Sequence, residues 1–301
     1  MTSMTATPEP RKAGVIGRFS AFLNRHARLR LGGLLSAPML WLVVIYLTSL
    51  ALLFAAAFWQ TDPFTSALIH TFTWDNIKEV LTNPAYRRVA IRTVGIASVV
   101  TVLCMMLAIP VAVYAAKLAS LRTRRLLVVA FLVPLWASYL VKAYAWRGLL
   151  SENGVLNWAL EPLGLSGPGL GKTAIVIVLT YLWLPYMILP IYASLDRLPN
   201  SLVDASSDLG ARSWRTFRSV IFPIILPGIA AGSIFTFSLS MGDYIAVGLV
   251  GGDVQMSGNQ IYNNIAGGAN TPLGAALALV SVVVILLYML LVRRTGALRE
   301  L

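Results

Sequence analysis

The sequence predicts an all-α membrane protein with six transmembrane helices. Only 12% of the 301 residues are charged and 57% are hydrophobic, whereas a soluble domain carries about 25% charged residues because its surface faces water. Six apolar runs each reach the roughly 20 residues with which a helix crosses a bilayer core. None alternates as barrel strands do, and backbone groups in lipid must pair within their own segment. Helices are therefore expected.

The six predicted spans cover residues 34–59, 90–116, 125–146, 173–194, 223–247 and 272–292. They form a transmembrane domain of residues 34–294 between a tail of residues 1–33 and a tail of residues 295–301. Residues 15–31 combine apolar positions at helical spacing with arginines, which predicts an amphipathic helix on the membrane surface; a solvated tail is the alternative. The first span follows a basic stretch, as a signal peptide does, but its length of about 26 residues exceeds the usual apolar core. We expect it to stay as an uncleaved helix.

The basic residues predict the orientation of the spans. The N-terminal tail contains six Lys and Arg, the second and fourth loops four each and the C-terminal tail three, which gives seventeen on one side. Seven remain for the opposite side. Since Lys and Arg accumulate in cytoplasmic loops, both termini are predicted to lie in the cytoplasm of a multi-pass inner-membrane protein. The net charge of +12 is thus a topology signal, and no nucleic-acid binding is expected.

Catalytic and metal-binding residue types are scarce. Cys104 is the only cysteine and falls in the middle of a predicted span, so neither a disulfide nor a cysteine-based metal site is expected. Both histidines, His26 and His70, lie outside the spans. An intramembrane enzyme needs a polar cluster on facing helices, and the sequence favours a non-catalytic protein.

The most informative segment is the fourth loop, residues 195–222, on the predicted cytoplasmic side. A short helix is expected after Pro199, supported by Asp208 and Arg212 at helical i, i+4 spacing. Gly210 then interrupts the helix, and a second short helix with Trp214 follows. The pattern predicts a compact helix-turn-helix outside the membrane.

This loop resembles the EAA loop of the permease subunits of binding-protein-dependent ABC importers. That pattern has Glu-Ala-Ala, three residues, Gly, nine residues and Ile-x-Leu-Pro. Here Asp204, Ala205 and Ser206 fill the triplet, Gly210 has the required spacing and Pro223 ends the pattern. The departures, Asp for Glu and Ser for the second Ala among them, keep size and character. The resemblance implies a type I importer fold and a coupling loop formed by Asp204, Ala205, Ser206, Asp208, Gly210 and Pro223.

A narrower resemblance is to the spermidine/putrescine branch of these permeases. It rests on Val133–Trp146, Asn153–Asn157, Leu184–Tyr192 and Gly242-Asp243-Tyr244 before Gly251-Gly252. It implies inward transport of a polyamine. Permeases of this branch also carry opines, phosphonates and ferric iron, so those solutes stay open.

The resemblance also implies the partners. Two ABC ATPase subunits would bind ATP and Mg and hydrolyse the ATP, and this chain would bind no cofactor or metal itself. A second, homologous permease and an external solute-binding protein would complete the assembly in the lipid bilayer. An ion-coupled secondary transporter is the alternative class; it is expected to show inverted repeats, and none is clear here.

One motif is expected to be a chance similarity. Ser166–Thr173 resembles a phosphate-binding loop except for its first residue. Such a loop follows a strand and precedes a soluble helix, whereas this segment follows a Pro/Gly-rich stretch, precedes a predicted span and lies on the external side.

The candidate solute path combines one acid with aromatic residues. Asp243 falls near the outer end of the fifth span, and an ionisable residue there is a functional hypothesis by default. Carboxylates and aromatic faces hold flexible polycations through charge and cation–π contacts. The aromatic candidates are Trp136, Tyr139, Tyr144, Trp183, Tyr186 and Tyr244; enrichment of Trp and Tyr at membrane interfaces is the alternative explanation. Lys142 and Arg147 would repel a polyamine unless they point away or pair with Glu152.

Overall fold

The fold was described from a computed structural model, which covers residues 35–36, 38–62, 65, 67–268 and 270–294. The predicted surface helix over residues 15–31 and both tails lie outside the described residues. Within the described part of the chain, five helices are long and apolar enough to cross a membrane, and a sixth is counted if a sharply bent pair forms one span. The predicted all-α membrane fold is confirmed.

The elements run in chain order as follows. They are α1 Pro38–Ala56, β1 Gln60–Thr61, β2 Leu68–Ile69, α2 Asp75–Thr82, α3 Pro84–Leu118, α4 Leu121–Trp136, α5 Tyr139–Leu150, α6 Val155–Leu160, α7 Lys172–Asp196, α8 Asn200–Asp208, α9 Ser213–Gly242, α10 Ile245–Val250, α11 Ser257–Ile265 and α12 Thr271–Arg294. The membrane-length helices are α1, α3, α7, α9 and α12. The described residues up to Ala55 form one compact unit and the rest of the chain a second.

The first long loop is folded rather than open. Strands β1 and β2 pair antiparallel, with Gln60 opposite Ile69. The side-chain amide of Asn76 donates to the carbonyl oxygens of Ala57 and Trp59 at 2.9 and 2.8 Å, which fixes α2 against the start of the loop. This pair of two-residue strands is the only sheet among the described residues.

The segment predicted as the third span is two helices rather than one. Helix α4 ends at Trp136, and the helical segment Tyr139–Leu163, which begins with α5, is bent by 94° relative to it. Ala137 and Ser138 between them adopt extended backbone angles. The Lys142 ammonium group donates to the carbonyl oxygen of Pro134 at 2.8 Å, satisfying an acceptor near the end of α4. Apolar character alone could not reveal this break, because both halves are apolar.

Helix α7 is the centre of the larger unit and packs most extensively against α9 and α3. Its contact with α9 is close because α9 presents glycines. A Cβ atom at Gly228 would lie 2.6 Å from the Pro190 carbonyl oxygen, and one at Gly232 would lie 2.6 Å from the Met187 sulfur. The Gly228/Gly232 step therefore makes the close helix contact expected of a GxxxG pattern.

Candidate coupling loop and solute cavity

The loop between α7 and α9 is a short helix closed by a glycine turn. Helix α8 ends at Asp208, and Gly210 has φ of 77°. The Gly210 amide donates to the Ser207 carbonyl at 2.9 Å, and the Ala211 amide donates to the Ser206 carbonyl at 3.1 Å. These two bonds form a Schellman motif, in which a left-handed residue ends a helix. Glycine is required because a Cβ atom is strained at this φ.

A side-chain contact joins the two sides of this turn. The hydroxyl oxygens of Ser206 and Thr216 lie 3.0 Å apart, so the serine that departs from the Glu-Ala-Ala pattern has a partner at the start of α9. The expected pair of Asp208 with Arg212 does not form: the described residues contain no ion pair between these two side chains. The predicted pair was wrong because α8 ends at Asp208 and the chain turns at Gly210. Arg212 therefore does not lie one helical turn after Asp208.

The candidate coupling loop, residues 195–222, exposes large apolar side chains. Leu209 is 89% exposed and Trp214 is 71% exposed. Asp204 and Ala205 also lie on the exposed part of α8. A cavity of about 500 Å³ separates α8 from the end of α3, with Asp204 and Lys117 among its lining residues. Exposed apolar anchors beside a recess are typical of a docking surface.

Two basic side chains fix the neighbouring loops to the same end of α7. The Lys117 ammonium donates to the Leu198 carbonyl at 2.6 Å. The Arg124 guanidinium pairs with the Asp196 carboxylate and donates to the Tyr192 hydroxyl at 2.7 Å. The second and fourth loops, both predicted to be cytoplasmic, are therefore held together.

A second candidate site lies at the other end of α9. An open cavity of about 270 Å³ is lined by Tyr139, Trp183, Ser238, Leu239, Gly242, Asp243, Tyr244 and Ile245. The break in α4–α5 brings Tyr139 to it, and the end of α9 brings Gly242 and Asp243. Since α9 contains 30 residues, about 45 Å separates this cavity from the coupling loop at 1.5 Å per residue.

The Asp243 carboxylate is the polar centre of this cavity. Only 6% of the residue is exposed. The Tyr139 hydroxyl donates to Oδ2 at 2.5 Å, and the Ala246 amide donates to Oδ1 at 3.0 Å. Burial of a charge is costly unless it is paired or hydrogen-bonded, and here both oxygens have a donor.

The structure brings together only part of the aromatic set. Tyr139 stacks on Trp183 with ring centroids 5.9 Å apart, and Trp183 meets the edge of Tyr186 at 5.8 Å. Tyr244 lines the cavity and stacks on Tyr262 at 4.6 Å. Trp136, which is 90% exposed, and Tyr144 are not among the cavity's lining residues.

The two cations that argued against a cationic solute do not line this cavity. Lys142 bonds to Pro134 instead of Glu152, and Arg147 is exposed on α5. Within the described residues, no group of three or more His, Cys, Asp and Glu side chains is arranged to hold a metal ion.

Four residues that line the cavity were not among the candidates predicted from the sequence. Ser238, Leu239, Gly242 and Ile245 share the cavity with the predicted residues. Ser238 and Gly242 are four residues apart and therefore share one face of α9, which was a usable signal. Ile245 lies beyond the end of α9, and no pattern indicated its position.

The phosphate-loop similarity has no structural counterpart. Residues 155–163 before the glycine-rich segment form α6 and a short 3₁₀ turn rather than a strand. Lys172 follows Gly171 and begins the membrane-length helix α7. The segment lacks the strand that such a loop requires.

Comparison with known proteins agrees with these features. The family model for the binding-protein-dependent transport system inner membrane component matches residues 92–296. The inner membrane ABC transporter permease YdcU of Escherichia coli is 41% identical, over 98% of this chain and 98% of its own. The spermidine/putrescine permease PotB of Haemophilus influenzae is 30% identical, over 79% of this chain and 84% of its own.

Solved structures share the fold. The crystal structure of a bacterial alginate ABC transporter, in complex with an alginate-bound periplasmic protein, matches with a TM-score of 0.75 at 15% identity, over 93% of this chain and 97% of that one. The MetNI methionine transporter matches with a TM-score of 0.55 at 19% identity, over 69% of this chain and 93% of that one. The alternatives of a secondary transporter and an intramembrane enzyme are excluded by the family match. The chain belongs to the family of binding-protein-dependent transport system inner membrane components, as a non-catalytic, multi-pass permease subunit of an ABC importer.

Proposed function

We propose that this permease moves a polyamine, such as spermidine or putrescine, into the cytoplasm. The observation that carries the proposal is the cavity at the end of α9, where the Asp243 carboxylate lies beside the rings of Tyr139, Trp183 and Tyr244. A flexible polycation is held by this combination, since the carboxylate attracts an ammonium group and ring faces attract it further. None of the eight lining residues is basic.

The alternatives fit the cavity less well. A phosphonate carries negative charge and would meet Asp243 without a compensating cation. Opines carry carboxylates and meet the same obstacle. Ferric iron would need several oxygen or nitrogen ligands, and besides the hydroxyls of Tyr139, Ser238 and Tyr244 the lining offers one carboxylate. Among the relatives, PotB is named for spermidine and putrescine, whereas the name of YdcU specifies no solute.

The coupling loop is proposed to transmit ATP-driven motion. Its residues Asp204, Ala205, Ser206, Asp208 and Gly210 lie in or next to the α8 turn, Pro223 lies within α9, and Leu209 and Trp214 offer apolar anchors. An ATPase subunit with a complementary groove would bind there, and the closure of two such subunits would push the loop and rock the membrane helices as rigid bodies.

The complete assembly is proposed to contain a second, homologous permease, two ATPase subunits and an external solute-binding protein. ATP and Mg would bind to the ATPase subunits. The basic loops held by Lys117 and Arg124 would face the cytoplasm together with both termini, and the Asp243 cavity would open near the external side.

Uptake of radiolabelled spermidine tests the solute. We would compare cells with this chain, cells without it and cells with Asp243→Asn, with the operon partners present throughout. The variant keeps the size of the side chain but removes its charge, and we expect uptake to fall about tenfold, the factor for a free-energy loss of 1.4 kcal/mol. Asp253→Asn is the matched control, because Asp253 is an exposed acid outside the cavity.

The possible outcomes test the identity of the solute separately from the role of the cavity. If removal of the chain leaves spermidine and putrescine uptake unchanged, the polyamine is wrong, and phosphonates, opines and iron should be screened. If uptake depends on the chain but Asp243→Asn matches the control, the polyamine stands and the cavity is not its path.

A further inference from the structure

Two breaks in the membrane helices meet at one hydrogen bond. Tyr139 is the first residue of α5, directly after the break that follows α4. Asp243 follows the last residue of α9, in the two-residue break before α10. The 2.5 Å bond from the Tyr139 hydroxyl to Asp243 Oδ2 therefore joins the two breaks across 104 residues of sequence.

Both carboxylate oxygens of Asp243 already accept hydrogen bonds before any cation enters the cavity. The Ala246 amide donates to Oδ1 at 3.0 Å within the same turn of chain, and the Tyr139 hydroxyl occupies Oδ2. The residue is 6% exposed, so little of the carboxylate is open to an additional donor. The Ile245 and Val247 amides also face the carboxylate, and among all these donors Tyr139 alone comes from a separate membrane segment and is able to leave without unwinding α10.

The backbone around Asp243 is held from behind. A Cβ atom at Gly258 of α11 would lie 2.9 Å from the carbonyl oxygens of both Gly242 and Asp243, which shows that α11 packs directly on this break. The Asn259 side chain also donates to the Tyr244 carbonyl at 2.9 Å. The acid is thus supported by α9 and α11, whereas α5 packs mainly against α10, so release of the Tyr139 bond alters the contact between α5 and α10.

We propose that Tyr139 is a positioning residue that occupies Asp243 in the solute-free transporter and is displaced when a cationic group of the solute binds. Displacement frees the start of α5 from the α9–α10 break and couples occupancy of the cavity to movement of the broken third span. The proposal rests on the proposed function in one respect, that the solute is a cation. A ligand shifts a conformational equilibrium only through contacts that differ between its states, and exchange at Oδ2 is such a contact.

Replacement of Tyr139 by Phe isolates the hydroxyl. The ring that stacks on Trp183 is kept, while the hydroxyl that donates to Asp243 and accepts from the Ala246 amide at 3.3 Å is lost. The complete transporter, with its ATPase subunits, would be placed in nanodiscs, and ATP hydrolysis measured without binding protein or solute. We expect Tyr139→Phe to raise this basal rate about fivefold, the factor for one hydrogen bond of typical net strength, and to reduce the further stimulation by spermidine-loaded binding protein.

Tyr181→Phe is the matched control, because it removes a phenol hydroxyl from α7 at a ring that contacts Trp146 and does not line the cavity. Its basal rate should stay within about twofold of the parent. Equal basal rates in Tyr139→Phe and the parent would overturn the proposal.

A second measurement needs no variant. Where spermidine-loaded binding protein stimulates ATP hydrolysis by the parent complex, it should also speed up hydrogen exchange of the first α5 amides, and unchanged exchange in a stimulated complex would overturn the proposal. Failure of the polyamine assignment is recognised separately. In that case spermidine-loaded binding protein stimulates neither the parent nor the control, while a raised basal rate in Tyr139→Phe still supports the holding role of Tyr139.

Discussion

The two ends of α9 interrupt the helical chain in different ways. At its start, the turn at Gly210 is closed by bonds within a short stretch of sequence, from the Gly210 amide to Ser207, from the Ala211 amide to Ser206 and between the hydroxyls of Ser206 and Thr216. At its end, the break at Asp243 is closed by Tyr139, which comes from a helix 104 residues earlier. The first end is a local structure, and the second exists only in the folded molecule.

The difference matches the role proposed for each end. A loop that transmits movement between proteins needs a rigid shape, and the bonds within the turn and to the start of α9 supply it. A site that responds to solute benefits from a bond between segments that move relative to each other. Substitutions that affect either the local bonds or the long-range contacts therefore test this difference between the two ends of α9.

The largest effect is expected from Gly228→Leu in the α7–α9 contact. The new side chain would begin 2.6 Å from the Pro190 carbonyl oxygen, so α9 must move away from α7. Overpacking of this kind costs about 1–3 kcal/mol and should lower the unfolding temperature of the purified protein by about 2–12 °C. Because α9 shifts, the cavity around Asp243 should be distorted and solute uptake should fall. The turn at Gly210 should persist, because its bonds are local.

Gly95→Leu is the control for that measurement. Gly95 lies in α3, and a Cβ atom added there would have no heavy atom within 4 Å, so the same enlargement should change the unfolding temperature little. Equal effects at both glycines would contradict the importance of the close contact.

An intermediate effect is expected from Gly210→Trp at the local end. A side chain at φ of 77° costs about 1–2 kcal/mol, and a large one also alters the proposed docking surface. ATP-dependent uptake should fall about tenfold or more while the amount of protein in the membrane stays unchanged. Gly148→Trp is the control, since Gly148 has open space around it and no positive φ. Normal uptake by Gly210→Trp would refute the role of this turn.

The smallest effect is expected from the hydroxyl pair that closes the turn. Ser206→Ala and Thr216→Val should each lower stability by about 0.5–1.5 kcal/mol, because each removes one partner of the contact. Chemical denaturation of both single variants and the double variant gives the coupling energy. A coupling energy of zero would mean that the 3.0 Å contact contributes nothing to the turn.

Local features of the candidate sites were predictable from sequence to different degrees. The position of Gly210 followed from motif spacing, and its φ explains why the motif has glycine there. The pairing of Asp208 with Arg212 was not correct, because helical spacing assumes a helix that continues past Gly210. Asp243 and Tyr139 were both named as candidates, but as separate residues rather than as bonded partners.

The sequence by itself determined the membrane class, the number of apolar segments and the glycine turn of the candidate coupling loop. These depend on composition, segment length and contacts within about five residues, all of which are visible in a linear chain. Only the tertiary structure decided that the third span is broken by 94° and that the break carries Tyr139 to Asp243. The reason is physical: both halves of that span are equally apolar, and a hydrogen bond between distant segments depends on how the helices pack, which local sequence does not encode.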